Sequence, residues 1–147
     1  MINKYEHLIN KFRHRFLDDS LKNIGINGPA GPYLIKISEA KTIKMNQIIV
    51  HSPFHKSHTT RAINELKDCE LIIKVKDPED QRSFILSITK KGELIADKVI
   101  EILRKWDELI LSALNEEEKQ MMQVITEKIY MKVKEHFEED LLDEKNV

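Results

Sequence analysis

At 147 residues the chain has the length of one domain and is long enough to bury a real core, about 68–70% of its unfolded surface at this size. It is 41% hydrophobic, 33% charged and 6% aromatic with four Gly and four Pro, which excludes collagen, low-complexity disorder and a glycine-loop nucleotide enzyme, while the lone Cys69 excludes an internal disulfide framework and a multi-cysteine metal centre. The formal net charge of −1 conceals three blocks, +2 over 1–40, +4 over 41–91 and −7 over 92–147, so that a basic middle is set to face a polyanion while the rest keeps the chain soluble.

Ile2, Tyr5, Leu8, Ile9, Phe12, Phe16 and Leu17 recur at helical spacing and predict a first helix to about Leu21. Gly25, Gly28, Pro29, Gly31 and Pro32 then break the chain between Asn23 and Pro32. Short helices are expected over Tyr33–Ala40 and over Lys44–His51, the second ended by Ser52-Pro53, because a proline disfavours the helical region for the residue before it. A further helix spans His55 to about Asp68 with Ala62, Ile63 and Leu66 inward. The period then shortens. Leu71–Lys76 and Ser83–Ile88 are β-branched and aromatic runs, and Phe84, Leu86 and Ile88 alternate with smaller or polar neighbours. The charged segment Asp77–Arg82 between them reads as a hairpin tip too polar for the core. Thr89 is positioned to cap a long helix through Leu94, Val99, Ile102, Trp106 and Ile110 to about Ala113. Asn115 and Glu118 form a capping-box pair that opens a last helix carrying Met121, Met122, Ile125, Ile129, Met131, Val133 and Phe137. The acidic run 138–144 reads as a frayed tail.

Two short helices, a tight break, a third helix and a charged hairpin describe a winged helix-turn-helix. The fold class is mainly α with a small β-hairpin wing. Residues 30–91 are expected to bind DNA, and 1–29 with 92–147 to form a helical dimerisation region of the same continuous domain. A helix fits the major groove, its N-terminus offers N–H groups to phosphate, and a hairpin tip reaches the minor groove. Lys56, Ser57, His58, Thr60, Arg61 and Asn64 lie off the inner stripe of the third helix, and all carry groups that hydrogen-bond base edges or phosphates. Arg61 leads them, since a guanidinium pairs bidentately with guanine. An ordinary solvated helix face has a similar composition, so the segment takes its meaning from the hairpin that follows.

That hairpin resembles the wing of the MarR family of bacterial transcriptional regulators. The matching residues are Ile48, Phe54–Arg61, Leu66, Leu71-Ile72, Asp77-Pro78-Glu79-Asp80-Gln81-Arg82 and Ile88-Thr89-Lys90-Lys91-Gly92. The resemblance implies an obligate homodimer on a pseudo-palindromic operator. It also makes Arg82 the wing arginine, held in place by Asp80. Lys41, Lys44, Lys74 and Lys76 are further candidates for phosphate contacts. Three positions depart from the family pattern. Glu70 stands where glycine is usual, His55 replaces an acidic residue, and Ser52-Pro53 replaces a more helical turn.

Many members of that family release DNA on binding small aromatic acids, and Phe12, Phe16, Tyr33 and Trp106 are the candidates to line such a cleft here, although core packing explains the same aromatics. The peroxide-sensing branch finds no cysteine in the first helix, and the zinc-sensing branch finds no histidine in the helix after the wing. No metal, cofactor or catalytic residue is expected. No apolar stretch reaches 18 residues and Met1–His7 lacks a signal-peptide segment, so the expectation is a cytoplasmic protein without membrane contact. The function read from the sequence is a dimeric DNA-binding regulator, a repressor relieved by a small molecule. The alternative is a winged-helix protein-interaction module without DNA.

Overall fold

The computed structural model describes residues 3–52 and 54–144, so Ile2 and Pro53 lie outside the described residues. The chain divides into two units, 1–106 and 107–147. The first holds α1 (Asn3–Lys22), α2 (Gly31–Ala40), β1 (Thr42–Lys44), α3 (Met45–Val50), α4 (Lys56–Asp68), β2 (Ile72–Lys76), β3 (Phe84–Ile88) and most of α5 (Lys90–Leu111). The second holds the end of α5 and α6 (Glu116–Glu144).

In the first unit the expected helices form, with differences at their edges. A single 3-10 turn over Gly28–Ala30 leads straight into α2, which begins at Gly31 because Pro32 fits the first turn of a helix, where its missing N–H has no partner to lose. The segment expected as a helix from Lys44 begins instead with a strand. Thr42–Lys44 pairs antiparallel with β3, Ile43 opposite Leu86, and gives a sheet ordered β1-β3-β2. Three residues are too few to show a period, so nothing local announced β1.

The core of this unit joins Leu34 and Ile37 of α2, Ile48 of α3, Ile63 and Leu66 of α4, Leu86 of β3 and Val99 of α5, with Leu21 of α1. Ala62, Ile63 and Leu66 are buried as the helical spacing required. Asp77 breaks the expectation that the hairpin tip is too polar for the core. It is 1% exposed, accepts the Glu79 N–H at 2.9 Å, and pairs with Lys44 Nζ at 2.9 Å.

The joint between α4 and α5 is closely made. Glu70 takes a positive φ of 60°, and its N–H donates to the Lys67 carbonyl at 2.9 Å while the Leu71 N–H donates to Leu66 at 3.0 Å. That is a Schellman ending with glutamate in the place that usually takes glycine. Thr89 caps α5 as expected, accepting the Gly92 N–H at 2.9 Å, and its hydroxyl lies 2.9 Å from the Glu70 carbonyl oxygen and 3.0 Å from that of Leu71. Gly92 is required here, because a Cβ would strike the Leu71 carbonyl oxygen and come within 2.7 Å of Ile88 Cδ1.

In the second unit Asn115 and Glu118 exchange hydrogen bonds at 2.9 Å each, the reciprocal cap expected at the head of α6. The helix runs to Glu144 and takes in the acidic run read as frayed. Met121, Val124, Ile125, Ile129, Tyr130, Met131, Val133 and Phe137 are all exposed on it.

Candidate nucleic-acid interface

The position of α4 is fixed from behind. Thr59 is fully buried on its inner side, and its hydroxyl meets Tyr33 Oη at 3.0 Å and donates to Ser52 Oγ at 3.1 Å. Tyr33 Oη and Ser52 Oγ are themselves 2.8 Å apart, so three hydroxyls satisfy one another under the first turns of α4. Ser52 also accepts the Phe54 N–H at 3.2 Å and shapes the entry to the helix. His55 closes the start of α4 as its N-cap, its Nδ1 accepting the Ser57 N–H at 3.4 Å. Sequence reasoning missed Thr59 and Ser52. Their hydroxyls look like surface groups until the fold brings Tyr33 between them.

With its inner side held, α4 turns Lys56, Ser57, Arg61 and Asn64 to the surface, and Thr60 is half-buried beside them. His58 stands apart from this face. Its ring lies 4.9 Å from that of Phe54 and its Nδ1 is buried without a hydrogen-bond partner. It lines a cavity of about 500 Å³ together with Arg13, His14, Leu17, Tyr33 and Phe54. His58 is half-buried, as Thr60 is, with its Nδ1 turned inward. Successive residues of an α-helix are about 100° apart, so His58 falls on the flank of the face that Ser57 and Arg61 share, and here the flank meets α1 and the turn before α2.

The wing carries Asp80 and Arg82 at its exposed tip. Asp80 holds Arg82 through the backbone, its Oδ1 accepting the Arg82 N–H at 3.0 Å, which leaves the guanidinium to project from an ordered turn. Of the four lysines considered for phosphate contacts, two are engaged elsewhere. Lys41 pairs with Glu93 at 2.6 Å and Lys44 with Asp77. Hydrogen bonding to Asp77 raises the Lys44 pKa above its ordinary value, and the Glu79 N–H, followed by Lys44, lowers that of Asp77. Lys74 bonds Asn64 Oδ1 at 3.0 Å, and Lys76 is exposed.

Among the described residues of the single chain, the four aromatics considered for a ligand cleft do not line a common cavity. Phe16 and Trp106 stack on each other with centroids 5.6 Å apart, Phe12 is 60% exposed, and Tyr33 alone reaches the cavity beside His58. Among the described residues no helix is long and apolar enough to cross a membrane, and no cluster of three metal-ligating side chains occurs.

A family model described as Transcriptional regulator SarA/Rot matches residues 32–99. The HTH-type transcriptional regulator BilQ of Clostridioides difficile (strain CD3) is 36% identical over 75 residues, covering 51% of this chain and 51% of that protein. The chain thus matches about half the length of that curated relative. Among solved structures, a MarR transcriptional regulator from Methanosarcina mazei Go1 superposes with a TM-score of 0.81 at 20% identity, covering 89% of this chain and 94% of the other. The S. aureus MepR–DNA complex gives 0.81 at 18%, covering 90% and 98%. The resemblance carried by the wing motif is borne out, and the fold is the MarR-type winged helix.

Proposed function

We propose that this MarR-type winged-helix chain is a dimeric, sequence-specific DNA-binding transcriptional regulator of the cytoplasm, a repressor relieved by a small molecule. The observation that carries the reading is the exposed set Lys56, Ser57, Arg61 and Asn64 on a helix braced from behind, with Arg82 on an ordered tip in the same unit. Residues 30–91 do the reading, and 1–29 with 92–147 pair the chains. The MepR–DNA complex is a neighbour crystallised on DNA, and BilQ is a regulator by name, which supports a regulator rather than an enzyme.

Two α4 helices related by a two-fold axis read half-sites about 10 bp apart, so the operator is a pseudo-palindrome. The effector site of this reading is the cavity at Arg13, Tyr33, Phe54 and His58, whose lining combines aromatic rings with groups that hydrogen-bond. Sequencing the genomic fragments that the purified protein retains tests the function directly. One enriched pseudo-palindrome is expected, and Arg61→Ala should cost about 1–3 kcal/mol on it and relax preference at one base per half-site. Retention of no fragment above background would leave the protein-interaction module as the better reading.

A further inference from the structure

We infer that Lys74 of the wing strand is a specificity-determining residue that acts through Asn64 of α4, turning its amide into a reader of hydrogen-bond acceptors instead of adenine. The inference rests on the DNA-binding reading above and adds which base the helix selects.

Lys74 Nζ donates to Asn64 Oδ1 at 3.0 Å across the ten residues that separate the wing strand from α4. An ammonium carries donors only, so the amide atom facing it is the carbonyl oxygen and the NH₂ is the group left free. The ammonium is held in its turn. Its Nζ lies 4.5 Å from the centroid of the Phe84 ring, which the strand register sets on the diagonal, with Lys74 opposite Leu86 and Lys76 opposite Phe84. Partial burial, with Lys67 adding repulsion, lowers the Lys74 pKa below its ordinary value.

A free asparagine offers one acceptor and one donor side by side, the pattern that matches N6 and N7 of adenine. Lys74 takes one of the two lone pairs of the Asn64 oxygen and sets a positive charge next to the other. The adenine amino group would bring a donor against that charge. Guanine presents only acceptors in the major groove, O6 and N7, and both suit the remaining NH₂ and the nearby ammonium. Asn64 in this chain therefore favours guanine at the position it reaches.

The test is selection of binding sites from a randomised duplex pool with the full-length protein and four variants. Lys74→Met keeps an apolar stem beside Phe84 and removes the donor. It should move the preference at one position per half-site from guanine toward adenine by about tenfold. Lys74→Arg restores a donor and should restore guanine. In an Asn64→Ala background, Lys74→Met should produce no shift. A uniform loss of affinity at every sequence would make Lys74 a phosphate contact, and a shift that persists without Asn64 would make it a base reader in its own right; either overturns the proposal. An amide spectrum without DNA separates the two readings. The Asn64 side-chain NH₂ resonances should move in Lys74→Met, and unchanged resonances would refute the tether whatever the DNA results. If the wild-type protein selects no sequence at all, the DNA-binding reading falls and this one falls with it.

Discussion

Lys44 Nζ stands 2.9 Å from Asp77 Oδ2, which joins the last residue of β1 to the first residue of the wing tip. The expected result is a pH-dependent hold on the wing. Asp77 is lowered on folding, so its contribution is complete above the unfolded carboxylate value of about 3.9 and disappears as the pH falls through the lower folded one. Lys44 is raised, so its contribution is complete below the ordinary lysine value of 10.5 and disappears as the pH rises through the folded one. Asp77→Asn should lower the melting temperature at pH 7, and the difference from the parent should close in acid. Circular dichroism melts across that range check it; a constant difference down to the lowest pH would remove the ion pair from the explanation.

Glu70 holds a left-handed backbone that costs an L-residue about 1–2 kcal/mol. Glycine removes that cost but loses more chain entropy on folding, about 0.5–1 kcal/mol. Glu70→Gly should therefore gain up to about 1 kcal/mol in urea unfolding, and Glu70→Ala should gain nothing.

Gly92 makes the opposite case. A methyl group there meets backbone, the Leu71 carbonyl, and backbone yields less readily than the end of a side chain. Gly92→Ala should cost about 1–3 kcal/mol, since overpacking at this contact outweighs the helix propensity that alanine adds. Equal stability of the two proteins in urea would show that the joint relaxes freely.

The wing arginine has its own signature. Arg82→Ala should weaken operator binding and reduce the salt slope by about 1 per wing, about 2 per dimer, while leaving the major-groove preference intact. Asp80→Ala should act in the same direction and less, because it frees the Arg82 N–H without removing the guanidinium. Both variants should stay within about 0.5 kcal/mol of the parent in stability, as substitutions at an exposed tip. Wild-type affinity and slope in Arg82→Ala would place the wing off the DNA.

Self-association should pass through the apolar side chains that stand exposed on α6. Sedimentation of the full chain at micromolar concentration is expected to give twice the 17.3 kDa of one copy. Ile129, 55% exposed, is a suitable probe. Ile129→Glu should weaken association by about tenfold or more if the residue is central to the contact. A monomeric parent would also remove the two-fold operator.

What the sequence made legible were features settled within a few residues. The inner stripe of α4, the hairpin strands, the Thr89 cap and the Asn115–Glu118 exchange each follow from a local period or a local hydrogen bond. The features that escaped depend on chain segments far apart. Asp77 reads as solvated until Lys44 arrives from β1, and Thr59 and Ser52 read as surface hydroxyls until Tyr33 comes between them. His58 shares a helix with Arg61, yet the turn before α2 claims its side of that helix. Of the reading face proposed from sequence, Lys56, Ser57, Arg61 and Asn64 are exposed, Thr60 is half so, and Arg82 projects where the hairpin required.

Thr89 is fastened to the carbonyls of Glu70 and Leu71, and Gly92 packs against the second of them. Three residues, Cys69, Glu70 and Leu71, separate α4 from β2, and their carbonyls are held from the start of α5 by Lys91 Nζ and the Thr89 hydroxyl. The end of α4 and the start of α5, far apart in sequence, share one hydrogen-bonded corner, and that corner has no room for a side chain at its glycine.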